Sequence, residues 1–168
     1  MKNAESVTFG GSGLDRAAEM RGDSDALAAR DTARACVFWR GKILLDTNDR
    51  VMRLPMTHAI LQDRSDDLIF LGRENEQLLF AADISRWLPE GFDPDAPISF
   101  LDDTRHVHRA CTYGGFADIR ISMARLSARD AEVAATGKAV MEWHRSHGFC
   151  AKCGQKSEIK MGGWQRDC

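Results

Sequence analysis

The apolar residues of the first hundred positions fall in short blocks separated by polar turns, not at helical spacing. RACVFW (34–39) is followed by Arg40-Gly41 and then KILL (42–45), two apolar runs about a glycine-containing turn. That pattern predicts a β-hairpin. DLIFLG (67–72) and QLLFA (77–81), separated by the polar RENE, predict a second one. PISFL (97–101), after a Pro/Gly/Asp-rich loop, predicts a further strand. The period changes near position 127. Ser127 with Asp130 three residues later is a capping-box start, and a helix is expected from about Ala128 to His147. Val133, Val140, Trp143 and His147 share one face, and Gly148 supplies the stop. Gly137 inside this helix weakens it by ~1 kcal/mol relative to Ala. Thr104–Leu126 is ambiguous and expected to be helical in part. The first thirty residues carry one amphipathic piece, LDRAAEMR.

The expected architecture is α+β, a mixed or antiparallel sheet with helices followed by a cysteine-bearing hairpin. Its divisions are an N-terminal segment (1–30), a sheet domain (31–126), a connecting helix (127–148) and the hairpin (149–168). Composition does not alter this. With 43% hydrophobic and 29% charged residues, the 168-residue chain has enough apolar material for one core plus a small module. The formal net charge is −2, spread as +3 from Lys138 onward and −5 before it. Three thiolates and one Zn²⁺ would bring the tail to about +2. That balance argues against a nucleic-acid partner for these residues. No stretch approaches the ~20 apolar residues of a membrane span, and MKNAESVTFGGSG has no secretory h-region. The five cysteines are an odd number, and three of them cluster. Both facts favour a reducing compartment and metal binding over disulfides, and a cytoplasmic location is expected.

The cysteines carry the chemistry. Cys150-Ala-Lys-Cys153-Gly154 is a CxxCG knuckle: a tight turn puts both sulfurs on one side, and Gly154 allows the positive φ it needs. Cys168 follows Cys153 after fourteen residues that include a Gly-Gly turn, close to the spacing of a paired-knuckle zinc site. A redox dithiol would be expected to open a helix, whereas this pair follows one. Structural zinc takes four ligands. His144, His147, a water or the chain terminus are the candidates within reach for the fourth position, none of them well placed.

Residues 126–168 resemble the zinc-ribbon region of the NADH pyrophosphatases, the NAD(+) diphosphatases of the Nudix superfamily. Ser127, Asp130, Trp143, His144, Phe149, Cys150, Cys153, Gly154, Gly162, Gly163, Arg166 and Cys168 match its pattern in order. Upstream, GLDRAAEMR, FWRGKILL and FLGRENEQLLFAADI resemble the family's N-terminal Nudix-like domain. The resemblance implies a four-cysteine site to which this chain supplies Cys150, Cys153 and Cys168. It also implies a parent enzyme converting NAD(H) to nicotinamide mononucleotide and AMP, a reaction that needs the Nudix box G-x5-E-x7-R-E-U-x-E-E-x-G-U. There glutamates hold the Mg²⁺ or Mn²⁺ that activates water. The box is absent from these residues: Gly115 is the best-placed glycine, and Ile121 stands where the first glutamate belongs. The SQPWA-like specificity motif is absent as well. The chain is therefore expected to be a fragment without catalytic or cofactor-binding residues of its own. Its roles would be structural zinc binding and support of a homodimeric parent, whose further domain of ~100–150 residues would bind NAD(H). A free-standing zinc-ribbon module for a protein or nucleic acid is the alternative, and a degenerate Nudix-like protein with another ligand is a third reading.

Among single residues, Trp143 is expected to anchor the helix in the core and Trp164 to be structural. His106 and His108 are expected on the surface, Cys36 and Cys111 as buried thiols, and Asp63–Asp67 as a solvated turn.

Overall fold

In the computed structural model, residues 9, 11–95 and 102–168 are described. The expected strand PISFL (97–101) lies outside them. A short helix α1 (Ser24–Ala28) leads into β1 (Ala33–Trp39) and β2 (Lys42–Asp46). Arg40 and Gly41 join the two strands with φ of 48° and 78°, the left-handed pair that a two-residue hairpin turn requires. A two-residue strand β3 (Leu54–Pro55) precedes the second hairpin, β4 (Leu68–Glu74) and β5 (Gln77–Asp83). The two predicted hairpins are joined by a parallel pairing of β1 with β5, from Ala33 opposite Leu78 to Phe38 opposite Asp83. The resulting mixed sheet has the order β4-β5-β1-β2-β7-β6, where β7 is Cys111–Asp118 and β6 is His106–His108, with β3 beside the start of β1.

The segment expected to be partly helical is mostly strand: β6 (His106–His108), β7 (Cys111–Asp118) and only a four-residue α2 (Ile119–Ser122). Gly114 and Gly115 look like strand breakers, yet Gly114 is what lets β7 lie close against β2. A Cβ on Gly114 would lie 2.5 Å from Met52 Sδ and 2.9 Å from Leu45 O, so the glycine permits a close approach.

Alternation along β1 sends its residues to two cores. Cys36 and Phe38 face one side with Leu45, Leu71 and Leu79, and helix α3 (Ala128–Ser146) covers them with Val133 and Ala134. Ala35, Val37 and Trp39 face the other side, with Leu44, Ile60 and Phe116. The Ser127 hydroxyl accepts from Asp130 N at the start of α3, as its sequence predicts. The buried face of α3, however, is Val133-Ala134-Gly137 with Val140 and Met141 packed against it. Trp143 is half-buried beside the His144 ring at 4.7 Å, not a core anchor. Cys36 and Cys111 are buried as expected. The histidines of H-x-H are not surface residues: His106 packs 4.6 Å from Trp39 and His108 4.6 Å from Trp87, with His108 only 1% exposed. Of the Asp63–Asp67 run, Asp66 and Asp67 are exposed, while Asp63 lies 3.0 Å from His108 Nε2.

Candidate metal centre

The chain leaves α3 at His147 and turns into the knuckle. Phe149 and Lys156 form an isolated antiparallel bridge that closes its base. Inside it, Cys150 N donates to Gln155 O at 2.8 Å and Gly154 N donates to Cys150 O at 2.8 Å. Gly154 sits at φ 72°, the left-handed conformation its place in the motif predicts. A second hairpin, β8 (Glu158–Lys160) with β9 (Gln165–Asp167), carries the chain to Cys168. Its turn is tight, with Met161, Gly162 and Gly163 at φ 52°, 58° and 93°.

These two turns bring the sulfurs of Cys150, Cys153 and Cys168 within 4.8 Å of one another. Thiolates at ~2.3 Å from a tetrahedral Zn²⁺ stand about 3.8 Å apart, so the cluster fits three corners of such a shell with a small contraction. The peptide N–H groups of Cys153 and Lys152, followed by the neighbouring thiols, bring the Cys150 thiol down to about 7. The sulfurs of Cys150 and Cys153 push Cys168 up. Cys150 thus ionises more readily than an isolated thiol, towards the thiolate form that binds metal. No described histidine or carboxylate joins the three cysteines.

His144 is engaged elsewhere. Its Nδ1 lies 3.0 Å from Arg166 Nη1, and its Nε2 lies 2.8 Å from Gly163 O. A guanidinium only donates and a carbonyl only accepts, so Nδ1 accepts and Nε2 carries the proton. The ring is neutral, and burial lowers its pKa first of all, with the Arg166 charge adding to the effect. His147 is exposed, 2.8 Å from Ser146 Oγ through Nδ1.

The hairpin is held to the sheet by groups that need no metal. Trp164 Nε1 donates to Phe70 O at 2.6 Å, and the Arg21 guanidinium lies 4.0 Å above the Trp164 ring. Gly163 lies so close to Ile69 that a Cβ there would be 2.9 Å from Ile69 Cγ1. Trp164 is therefore structural, as expected. Arg21, Phe70 and Ile69 could not be singled out from the sequence, since nothing local marks them as partners of residues more than ninety positions away.

Comparison with known proteins agrees with this arrangement. Residues 32–143 match the family of the NADH pyrophosphatase-like rudimentary NUDIX domain, and residues 145–168 match the NADH pyrophosphatase zinc ribbon domain. The human NAD-capped RNA hydrolase NUDT12 is 27% identical over 183 aligned positions, covering 92% of this chain and 38% of the relative. The human mitochondrial NAD(P)H pyrophosphatase NUDT13 is 27% identical over 164 positions, covering 89% of this chain and 44% of the relative. The chain thus spans about two fifths of the length of these relatives. No helix among the described residues is long and apolar enough to cross a membrane.

Proposed function

This chain belongs to the NADH pyrophosphatase-like Nudix family, and on that premise we propose that it is the non-catalytic, zinc-binding part of an enzyme that hydrolyses NAD(H) to nicotinamide mononucleotide and AMP. The convergence of Cys150, Cys153 and Cys168 carries the reading, with the three sulfurs as ligands of one structural Zn²⁺. Zinc would cross-link the knuckle to the end of β9, fixing the direction in which the polypeptide leaves the hairpin. Hydrolysis, with its Mg²⁺ or Mn²⁺, belongs on this reading to a Nudix box that these 168 residues do not contain. The sheet domain and ribbon support that catalytic part and the homodimer it forms, in the cytoplasm. The divisions at 31–126, 127–148 and 149–168 are part of the proposal.

Two measurements test it. Zinc-loaded protein incubated with NADH and Mg²⁺ or Mn²⁺ is expected to release no AMP, and turnover would overturn the non-catalytic assignment. Elemental analysis is expected to find about one zinc per chain, lost on Cys150→Ser. A content far below one in the unsubstituted protein would reject the ligand set. The alternative, a free-standing ribbon that recruits a protein or nucleic acid, is disfavoured by the contacts of Trp164, Gly163 and His144 that fasten the hairpin to the sheet domain.

A further inference from the structure

The two ladders of the ribbon leave a joint between them. The pairing of β8 with β9 stops at Glu158 opposite Asp167, and the bridge that closes the knuckle joins Phe149 to Lys156. Ser157 lies between the two, and Arg166 of β9 grips it. Arg166 Nε donates to Ser157 Oγ at 2.8 Å, and Nη2 donates to Ser157 O at 2.7 Å, a fork on one residue. Nη1 donates to His144 Nδ1 at 3.0 Å, so the third nitrogen reaches the last turn of α3. Ser157 is buried and passes the contact on. Its N–H donates to Gly148 O at 3.0 Å, and its hydroxyl lies 3.3 Å from the same oxygen. Cys150 follows Gly148 by two residues, and Cys168 follows Arg166 by two. One guanidinium thus ties together the base of the knuckle, the strand that leads to Cys168 and the helix from which the ribbon departs.

We propose that Arg166 is a positioning residue for the metal centre: by locking the joint at Ser157 it makes the three sulfurs converge before zinc arrives. The inference rests on the reading of Cys150, Cys153 and Cys168 as zinc ligands and adds a residue which that reading does not use. Without the guanidinium, knuckle and hairpin could swing about Ser157, and zinc binding would have to order them at the expense of affinity. Groups that orient metal ligands from outside the ligand shell contribute about ten- to a hundredfold in metal affinity. Once zinc is bound, the metal itself cross-links the two pieces, so the contribution of Arg166 lies in the metal-free state.

The test measures the zinc affinity of the full chain by competition with a chromogenic chelator. Arg166→Gln is expected to bind zinc about tenfold more weakly. Arg166→Lys should recover only part of that loss, because one ammonium cannot serve Ser157 and His144 as the planar fork does. Ser157→Ala, which keeps the carbonyl and loses the hydroxyl, should fall between Arg166→Gln and the unsubstituted chain. Lys160→Gln removes an equal charge from the same hairpin, away from the joint, and should leave the affinity unchanged. Deuterium exchange separates positioning from general stability. In Arg166→Gln the Ser157 amide should exchange faster without zinc and at the unsubstituted rate with zinc bound, while β1 and β5 stay protected in both states. Equal zinc affinity of Arg166→Gln and the unsubstituted chain, or an equal loss in Lys160→Gln, would overturn the proposal. If Arg166→Gln also exposes β1 and β5, Ser157→Ala decides, and unchanged affinity in that variant overturns it. An unsubstituted chain that binds no zinc would reject the metal centre itself, whereas zinc bound equally by every variant rejects only the role of Arg166.

Discussion

Gly137 sits in the middle of the longest helix, where a glycine costs ~1 kcal/mol relative to alanine. Its reason is contact: a Cβ there would lie 2.5 Å from Phe38 Cζ and 3.3 Å from Ala81 Cβ. Phe38 is 1% exposed and has no room to swing aside. Overpacking costs about 1–3 kcal/mol, which outweighs the helix propensity gained. Gly137→Ala is therefore expected to lower stability by ~1 kcal/mol in urea denaturation, and a stabilised variant would show that α3 can lift off the sheet. His144 makes a second residue-scale prediction through pH. An unfolded histidine titrates near ~6.5, while burial lowers the folded value, so the unfolded chain takes up the proton first as the pH falls. The stability contributed by neutral His144 is complete above the unfolded value and is lost as the pH falls through the folded one. Against His144→Gln, the unsubstituted protein should hold its largest advantage in urea midpoint at about pH 7.5, narrowing towards about pH 5.5. A constant gap would mean that His144 does not titrate differently in the two states.

At the scale of elements, the ribbon is two pieces with different supports. The knuckle 149–156 has one bridge and its internal turn bonds. The β8–β9 hairpin is fastened through Trp164 to Phe70 O, Gly163 against Ile69 and Gly163 O to His144. Chelating zinc should therefore free the amides of 150–155 to exchange with deuterium, while those of 158–167 keep most of their protection. Trp164→Phe, which retains a ring but loses the indole donor, should speed exchange across the whole hairpin. Uniform exchange of both pieces on chelation would mean that the metal, not the sheet, holds the hairpin. The same division explains what could be read in advance. The β1–β2 turn, the α3 cap and the CxxCG knuckle are encoded within a few adjacent residues, and all three were legible. β7 was not, because Gly114 is explained only by Leu45 and Met52, far away in sequence. His106 and His108 were misplaced for the same reason: Trp39 and Trp87, which cover them, belong to other elements. The cysteine cluster was legible as spacing, but the contacts that engage His144 with Gly163 and Arg166 were not.

For the molecule as a whole, the question is whether this Nudix-like scaffold retains any capacity for divalent-cation chemistry. Its buried carboxylates near the start of α3 are already neutralised by arginines. Asp130 and Glu74 both bind Arg53, at 2.5 and 2.8 Å, and Glu132 binds Arg16 at 2.6 Å. Arg129 adds a contact to Glu74 at 3.3 Å. Each guanidinium is fixed in charge over the whole working pH range, and removing one partner of a buried pair is strongly destabilising. A Mg²⁺ or Mn²⁺ ion would have to displace these cations to reach the carboxylates, and hard divalent ions shed their water reluctantly. Zinc-loaded protein should accordingly show no saturable rise in unfolding temperature with Mg²⁺ or Mn²⁺, whereas stripping zinc should lower the stability of the ribbon. Arg53→Ala should destabilise the fold by about 3–5 kcal/mol, because Asp130 and Glu74 would be left without their shared cation. If that variant instead folded normally and bound Mn²⁺, the arginines would be occupying a metal site and the scaffold would be closer to a catalytic domain than its sequence suggests.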